Sequence, residues 1–199
     1  MIYGCREYEG CNPLVLKFDI KDVGGRLAIK GYMDWAASAL ESELWRDKQL
    51  CSVIQGEHGF AAVHYSIFSK VVEANIKVFL KPKMESPDVC PKVYGSLIAQ
   101  YSCYDYSTRY NRDYYVIELF RRIQDDPMPL NAADWTVPLS RYVVVVPSYT
   151  SLIINGDLSF GVPDQRLSCA KEIAIGERLK TIETHDFVLR IEIEWCEVK

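Results

Sequence analysis

Residues 142–160 read YVVVVPSYTSLIINGDLSF, and residues 60–79 read FAAVHYSIFSKVVEANIKVF. At an offset of 82 positions Phe60 falls on Tyr142, Ser66 on Ser148, Ser69 on Ser151, Val71 on Ile153, Val72 on Ile154, Ala74 on Gly156, Ile76 on Leu158 and Val78 on Phe160. Apolar parity is kept across the whole alignment. Upstream, Gly31 matches Gly95, and ELWRDKQ at 43–49 matches ELFRRIQ at 118–124. Alternating strands resemble one another cheaply, so coincidence competes with duplication. If the match is a duplication, each copy carries antiparallel strands with one apolar face, and the other copy's matching face is the natural cover. The expected fold is therefore all-β: an antiparallel β-sandwich of two internal repeats, about 10 Å between sheets, with one short helix.

The expected organisation is a single compact domain. An N-terminal segment at 1–13 leads into repeat 1 at 14–80. KPKMESPDVCPK at 81–92 is a linker, because its three prolines deny ladder donors and impose extended turns. Repeat 2 follows at 93–162, and 163–199 holds a return loop and the C-terminal strand.

Period-two patterning runs through the chain. In LVLKFDIKD, Leu14, Leu16, Phe18 and Ile20 share one parity against Lys17, Asp19 and Lys21. In FVLRIEIEW, Phe187, Leu189, Ile191, Ile193 and Trp195 alternate with Arg190, Glu192 and Glu194. ANIKVFL turns Ala74, Ile76, Val78 and Leu80 inward, and KVYGSLIAQY and YYVIELFRRI also read as strands. YVVVV is apolar on both parities, which predicts cover on both faces. The adjacent Arg121 and Arg122 should split across two faces, one of them meeting a buried carboxylate. Lys77 and Lys81 would blunt a sheet edge. MDWAASALESELWRDKQL spaces Ala36, Leu40 and Leu44 four apart and predicts a short helix near 35–45.

The 199 residues are 49% hydrophobic and 25% charged with a net charge of -4, which excludes a disordered chain and a generally basic nucleic-acid surface. No apolar run reaches membrane-spanning or signal-peptide length, so a cytoplasmic location is expected. Seven cysteines at 5, 11, 51, 90, 103, 169 and 196 lack paired spacing, so reduced thiols are the expectation, with a Cys5–Cys11 clip the alternative.

Candidate chemistry is sparse. His58 and His64 share strand parity near Glu57 and Glu73, but six strand residues separate them by roughly 20 Å, too far for one metal. His185 reads as a turn residue. The cysteines have no local signature of an activated nucleophile. Asp125 and Asp126 precede Pro127, a turn-opening pattern rather than a carboxylate pair. DVGGRL at 22–27 lacks the lysine and hydroxyl of a phosphate loop and reads as a hairpin turn. No catalytic residue, metal ligand or cofactor is assigned.

YSCYDYSTRYNRDYY at 101–115 stands apart, with six tyrosines and two arginines among polar residues. Tyrosine offers broad contact area at low entropic cost, and arginine adds planar donors, which suits sugars, protein surfaces or stacked bases. Tyr104, Tyr106, Arg109, Tyr110, Arg112 and Tyr114 are the candidate binding residues. The competing reading is structural: a long hairpin whose tyrosines shield the sandwich edge and whose arginines pair with Asp105 and Asp113.

VYGSLIAQYS, ELFRRIQDDPMPL, PLSRYVVVVPSYTSLIINGDLSF and the closing FVLRIEIEWCEV resemble the motif series of a domain of unknown function abundant in grasses. That domain is sometimes attached to ribosome-inactivating N-glycosidases, including jasmonate-induced cereal proteins. The resemblance implies a plant protein linked to stress or defence, and it carries over no catalytic residue. The expected function is a binding or interaction module for a protein or glycan ligand. The alternatives are a regulatory or RNA-contacting partner of a ribosome-inactivating N-glycosidase, and a carbohydrate-binding module.

Overall fold

β-Branched and aromatic residues at alternate positions leave the chain one way to hide its apolar side while pairing its backbone, and strands dominate accordingly. The computed structural model describes residues 14–21, 25, 27–35, 44, 46–56, 59–83, 92–130, 133–160, 165–185 and 187–198. Two compact units emerge, Met1–Ser69 and Lys70–Lys199.

The first unit has two antiparallel hairpins. Strands β1 (Leu14–Lys21) and β2 (Leu27–Trp35) pair, as do β3 (Gln49–Gly56) and β4 (Gly59–Ser66). Gly25, at φ +79°, lies in the turn that joins β1 to β2, as DVGGRL predicts. Ile29, Met33 and Ile54 form the buried centre, with Phe18, Ile20, Ala61, Val63 and Tyr65 packed around them. β2 presses closely on β3: a Cβ on Gly31 would collide with Ile54 Cγ2, and one on Gly56 would sit 3.1 Å from Ile29. The helix expected near 35–45 meets β2 at Trp35, and its remainder lies outside the described residues apart from Leu44.

The second unit holds two sheets. Strands β6 (Lys92–Tyr101), β7 (Ile117–Arg122), β8 (Met128–Pro129), β10 (Leu152–Phe160) and β11 (Gln165–Ile173) form one, in the order β11-β10-β6-β7 with β8 also on β6. Strands β5 (Val71–Pro82), β9 (Val143–Pro147), β12 (Leu179–Glu183) and β13 (Phe187–Glu197) form the other, in the order β12-β13-β5-β9. All pairings within these sheets are antiparallel. The inward rows are those the alternation marks: Ala74, Ile76, Val78 and Leu80 on β5 face the same core as Phe187, Leu189, Ile191 and Ile193 on β13. Phe160 stacks on Phe187 at 4.4 Å, and Tyr101 donates its hydroxyl to Val145 O at 2.7 Å, so the sheets pack face to face as a sandwich.

The expected duplication does not organise this pairing. β4 pairs with β3, whereas β5 hydrogen-bonds to β13 and β9; β10 pairs with β6 and β11. In each aligned segment the chain passes from one set of strand partners to another, from β4 on β3 to β5 on β13 and β9, and from β9 on β5 to β10 on β6 and β11. The unit boundary lies at Ser69/Lys70, before β5, and most of 81–92 falls outside the described residues. The stretch after residue 163, expected as a return loop, supplies two strands, β11 and β12; on β11 Leu167, Cys169 and Ile173 are buried while Arg166, Ser168 and Glu172 are exposed.

Three finer expectations are corrected. β5 is an interior strand, so Lys77 and Lys81 stand on the outer sheet face and guard no edge. Val143 and Val145 are half-buried, because β9 ends its sheet. A bulge between Leu97 and Ile98 lets Leu119 and Phe120 both turn inward, which leaves Arg121 and Arg122 both exposed. They pair with Glu118 at 2.6 Å and Asp126 at 3.1 Å in solvent, with no buried carboxylate.

Candidate functional site

The tyrosine-rich connection between β6 and β7 is held at its root by hydroxyls. Ser102 Oγ and Thr150 Oγ1 lie 2.8 Å apart, Cys103 N donates to Thr150 Oγ1 at 3.0 Å, and Ser151 N donates to Ser102 Oγ at 3.0 Å. These bonds tie the connection to the turn between β9 and β10, which carries the exposed Tyr149.

Tyr106 closes the connection on itself. Its hydroxyl accepts from Tyr101 N at 3.2 Å and donates to Tyr115 O at 3.2 Å, spanning both ends of the loop. Burial pushes its phenol up to about 12, partly opposed by the bond from Tyr101 N. Tyr104 packs edge-on against Tyr101 at 5.8 Å and beside Tyr106 at 6.5 Å. Both Tyr104 and Tyr106 are half-buried, so these two candidates support the loop from behind.

A helix then forms where the sequence reading placed a hairpin tip. In α1 (Arg109–Tyr114), Thr108 Oγ1 caps Asn111 N at 3.2 Å. Asp105 accepts from Ser107 N at 2.8 Å and Ser107 Oγ at 2.9 Å, and these bonds hold its carboxyl below the usual range. Asn111 Nδ2 donates to Asp105 O at 2.5 Å, so Asn111 faces the loop. At about 100° per residue, Arg112, Arg109, Asp113, Tyr110 and Tyr114 then follow one another around the remaining arc.

That arc is exposed. Tyr110 and Tyr114, four residues apart, are 48% and 49% exposed with ring centroids 5.0 Å apart and tilted by 51°; Tyr115 stands 6.1 Å from Tyr110. Arg109 Nε meets Asp113 Oδ2 at 3.3 Å, while Arg112 forms no ion pair among the described residues. Four of the six candidates therefore share one outward surface. The structural reading holds for the remaining two and for the Arg109–Asp113 pair; Asp105 serves Ser107 instead of an arginine. Tyr149 escaped the sequence reading because it lies far along the chain, in PSYT, and only the Thr150 bonds bring its turn to the connection.

An open groove of about 320 Å³ lies on the outer face of β5, β12 and β13, lined by Asn75, Lys77, Arg178, Arg190, Glu192 and Glu194 among others. Arg190 is bound to Glu192 and lies 5.8 Å over the Phe79 ring, so part of the groove's charge is already balanced within it. Of the expected histidines, His58 lies outside the described residues and His64 sits on β4. Asp125 and Asp126 are exposed in a turn closed by Asp126 N donating to Ile123 O at 3.1 Å. Among the described residues no three His, Cys, Asp or Glu side chains gather to hold a metal ion. Among them, too, no helix is long and apolar enough to cross a membrane.

No curated protein and no solved structure matches the chain. The family model described as a domain of unknown function, DUF6598, matches residues 9–193.

Proposed function

Since the chain belongs to the DUF6598 family, whose description assigns no chemistry, we propose from the site itself that it works by binding, with α1 as the contact surface for a protein or glycan. The observation that carries this reading is the exposed Tyr110–Tyr114 pair beside Arg109 and Arg112, on a helix braced by Tyr106, Asp105 and Thr108. Paired aromatic rings offer apolar faces to a sugar ring or side chain, and the guanidinium groups add directional donors. A braced loop loses little further entropy when it binds. The setting is plant stress or defence, as the resemblance of the sequence motifs implies.

The test is a panel of immobilised glycans, protein extracts and ribosomal particles, read beside an adenine-release assay on ribosomes. A ligand found there should lose about 30-fold in affinity on the double change Tyr110→Ala and Tyr114→Ala, at ~1 kcal/mol per ring. Binding unaffected by that change would reject α1 as the surface. Adenine release by the chain alone would reject the binding reading in favour of catalysis.

A further inference from the structure

Outside the tyrosine surface, the β3–β4 hairpin places Cys51 opposite His64 in register, with Sγ 4.0 Å from Nε2. No sequence spacing betrays the pair, because the two residues lie on different strands. Cys51 is exposed. Partial burial holds the His64 imidazole below its usual range, so the ring is neutral at pH 7 and one ring nitrogen can take a proton. The neighbours along this face are Gln49, Val53 and Gln55 on β3, and Phe60, Ala62 and Ser66 on β4, none of them charged. β2 packs on the other face of the hairpin, where Gly31 meets Ile54, and its charged Lys30 and Asp34 alternate to its outside.

The other described thiols are placed differently. Cys169 is buried, and burial pushes its thiol up to about 11. Cys196 is half-buried and accepts from Asn75 Nδ2 at 3.5 Å. Cys103 is exposed like Cys51, but no described imidazole bonds to its sulfur. Exposure and an adjacent proton acceptor coincide at Cys51.

We propose that Cys51 is a thiol–disulfide exchange site, with His64 as its proton acceptor and a small-molecule disulfide as co-reactant. His64 Nε2 takes the thiol proton as Sγ attacks one sulfur of the disulfide. A new S–S bond forms to Cys51 and the original one breaks. The departing thiolate collects the proton from the imidazolium, so Cys51 is oxidised and the small disulfide is reduced by the same electron pair.

The experiment uses the full chain, reduced and then exposed to oxidised glutathione, with the mixed disulfide at each cysteine followed by peptide mass mapping. At pH 7 Cys51 should react about tenfold faster than Cys103. His64→Gln should bring Cys51 down to the Cys103 rate while leaving Cys103 unchanged, with circular dichroism of the variant reporting that its strands are kept. Should that variant not fold, the wild-type pH profile decides: the Cys103 rate should fall steeply as pH drops, because only a thiolate attacks, and the Cys51 rate should fall less steeply. Equal rates at the two cysteines, parallel pH profiles, or a His64→Gln chain that keeps the fast rate would overturn the proposal.

Discussion

Replacing Tyr106 by phenylalanine should separate the brace of the tyrosine connection from its exposed surface. The ring stays, but the hydroxyl that accepts from Tyr101 N and donates to Tyr115 O is lost. Two net hydrogen bonds at about 1 kcal/mol each make the variant about 2 kcal/mol less stable at pH 8. The pH dependence gives a second, independent signature. The folded phenol sits at about 12 against 10.0 unfolded, so the unfolded chain releases its proton first as pH rises. The stabilisation is complete below pH 10 and is lost as pH climbs through 12. Two units would be worth about 2.7 kcal/mol for a fully buried group, and the partial exposure of this ring reduces that to roughly 1. Urea denaturation of both proteins from pH 8 to 12 measures the gap, since the other tyrosines are common to both. The gap should narrow from about 2 to about 1 kcal/mol. A gap absent at pH 8, or constant to pH 12, would refute the bracing role.

Three further outcomes follow from packing. Gly95 has φ +113°, and a Cβ there would run into Asp157 O on the neighbouring strand, so Gly95→Ala should cost about 3 kcal/mol or more by thermal denaturation. Phe160→Ala removes the ring stacked at 4.4 Å on Phe187 and should cost about 3–5 kcal/mol in the same assay; a loss below 1 would deny that the sheets meet there. Asp157→Asn breaks an ion pair with Arg166 at 2.5 Å whose side chains are 41% and 72% exposed, and it should change stability by no more than about 0.5 kcal/mol.

The tyrosine surface shows how far composition reaches. Six tyrosines and two arginines in fifteen residues draw the eye to the right segment, but the pattern cannot say which rings face out. Thr108 and Asn111 start a helix there, and its geometry sends Tyr110 and Tyr114 outward while the Tyr106 hydroxyl turns back to the loop ends. The Cys51–His64 pair is less visible still, because the hairpin register alone brings those residues together.

Alternation along the chain by itself determined that strands dominate, and it marked their buried rows: Ala74, Ile76, Val78 and Leu80 on β5, and Phe187 to Ile193 on β13, lie inward as their parity requires. Partner choice was decided only in three dimensions. Val71 to Pro82 bonds to a strand more than a hundred residues away, and the similar segments 60–79 and 142–160 take different strand partners. The physical reason is that a period of two records which side of a strand avoids water, while the ladder that selects its neighbour is made by backbone groups common to every residue.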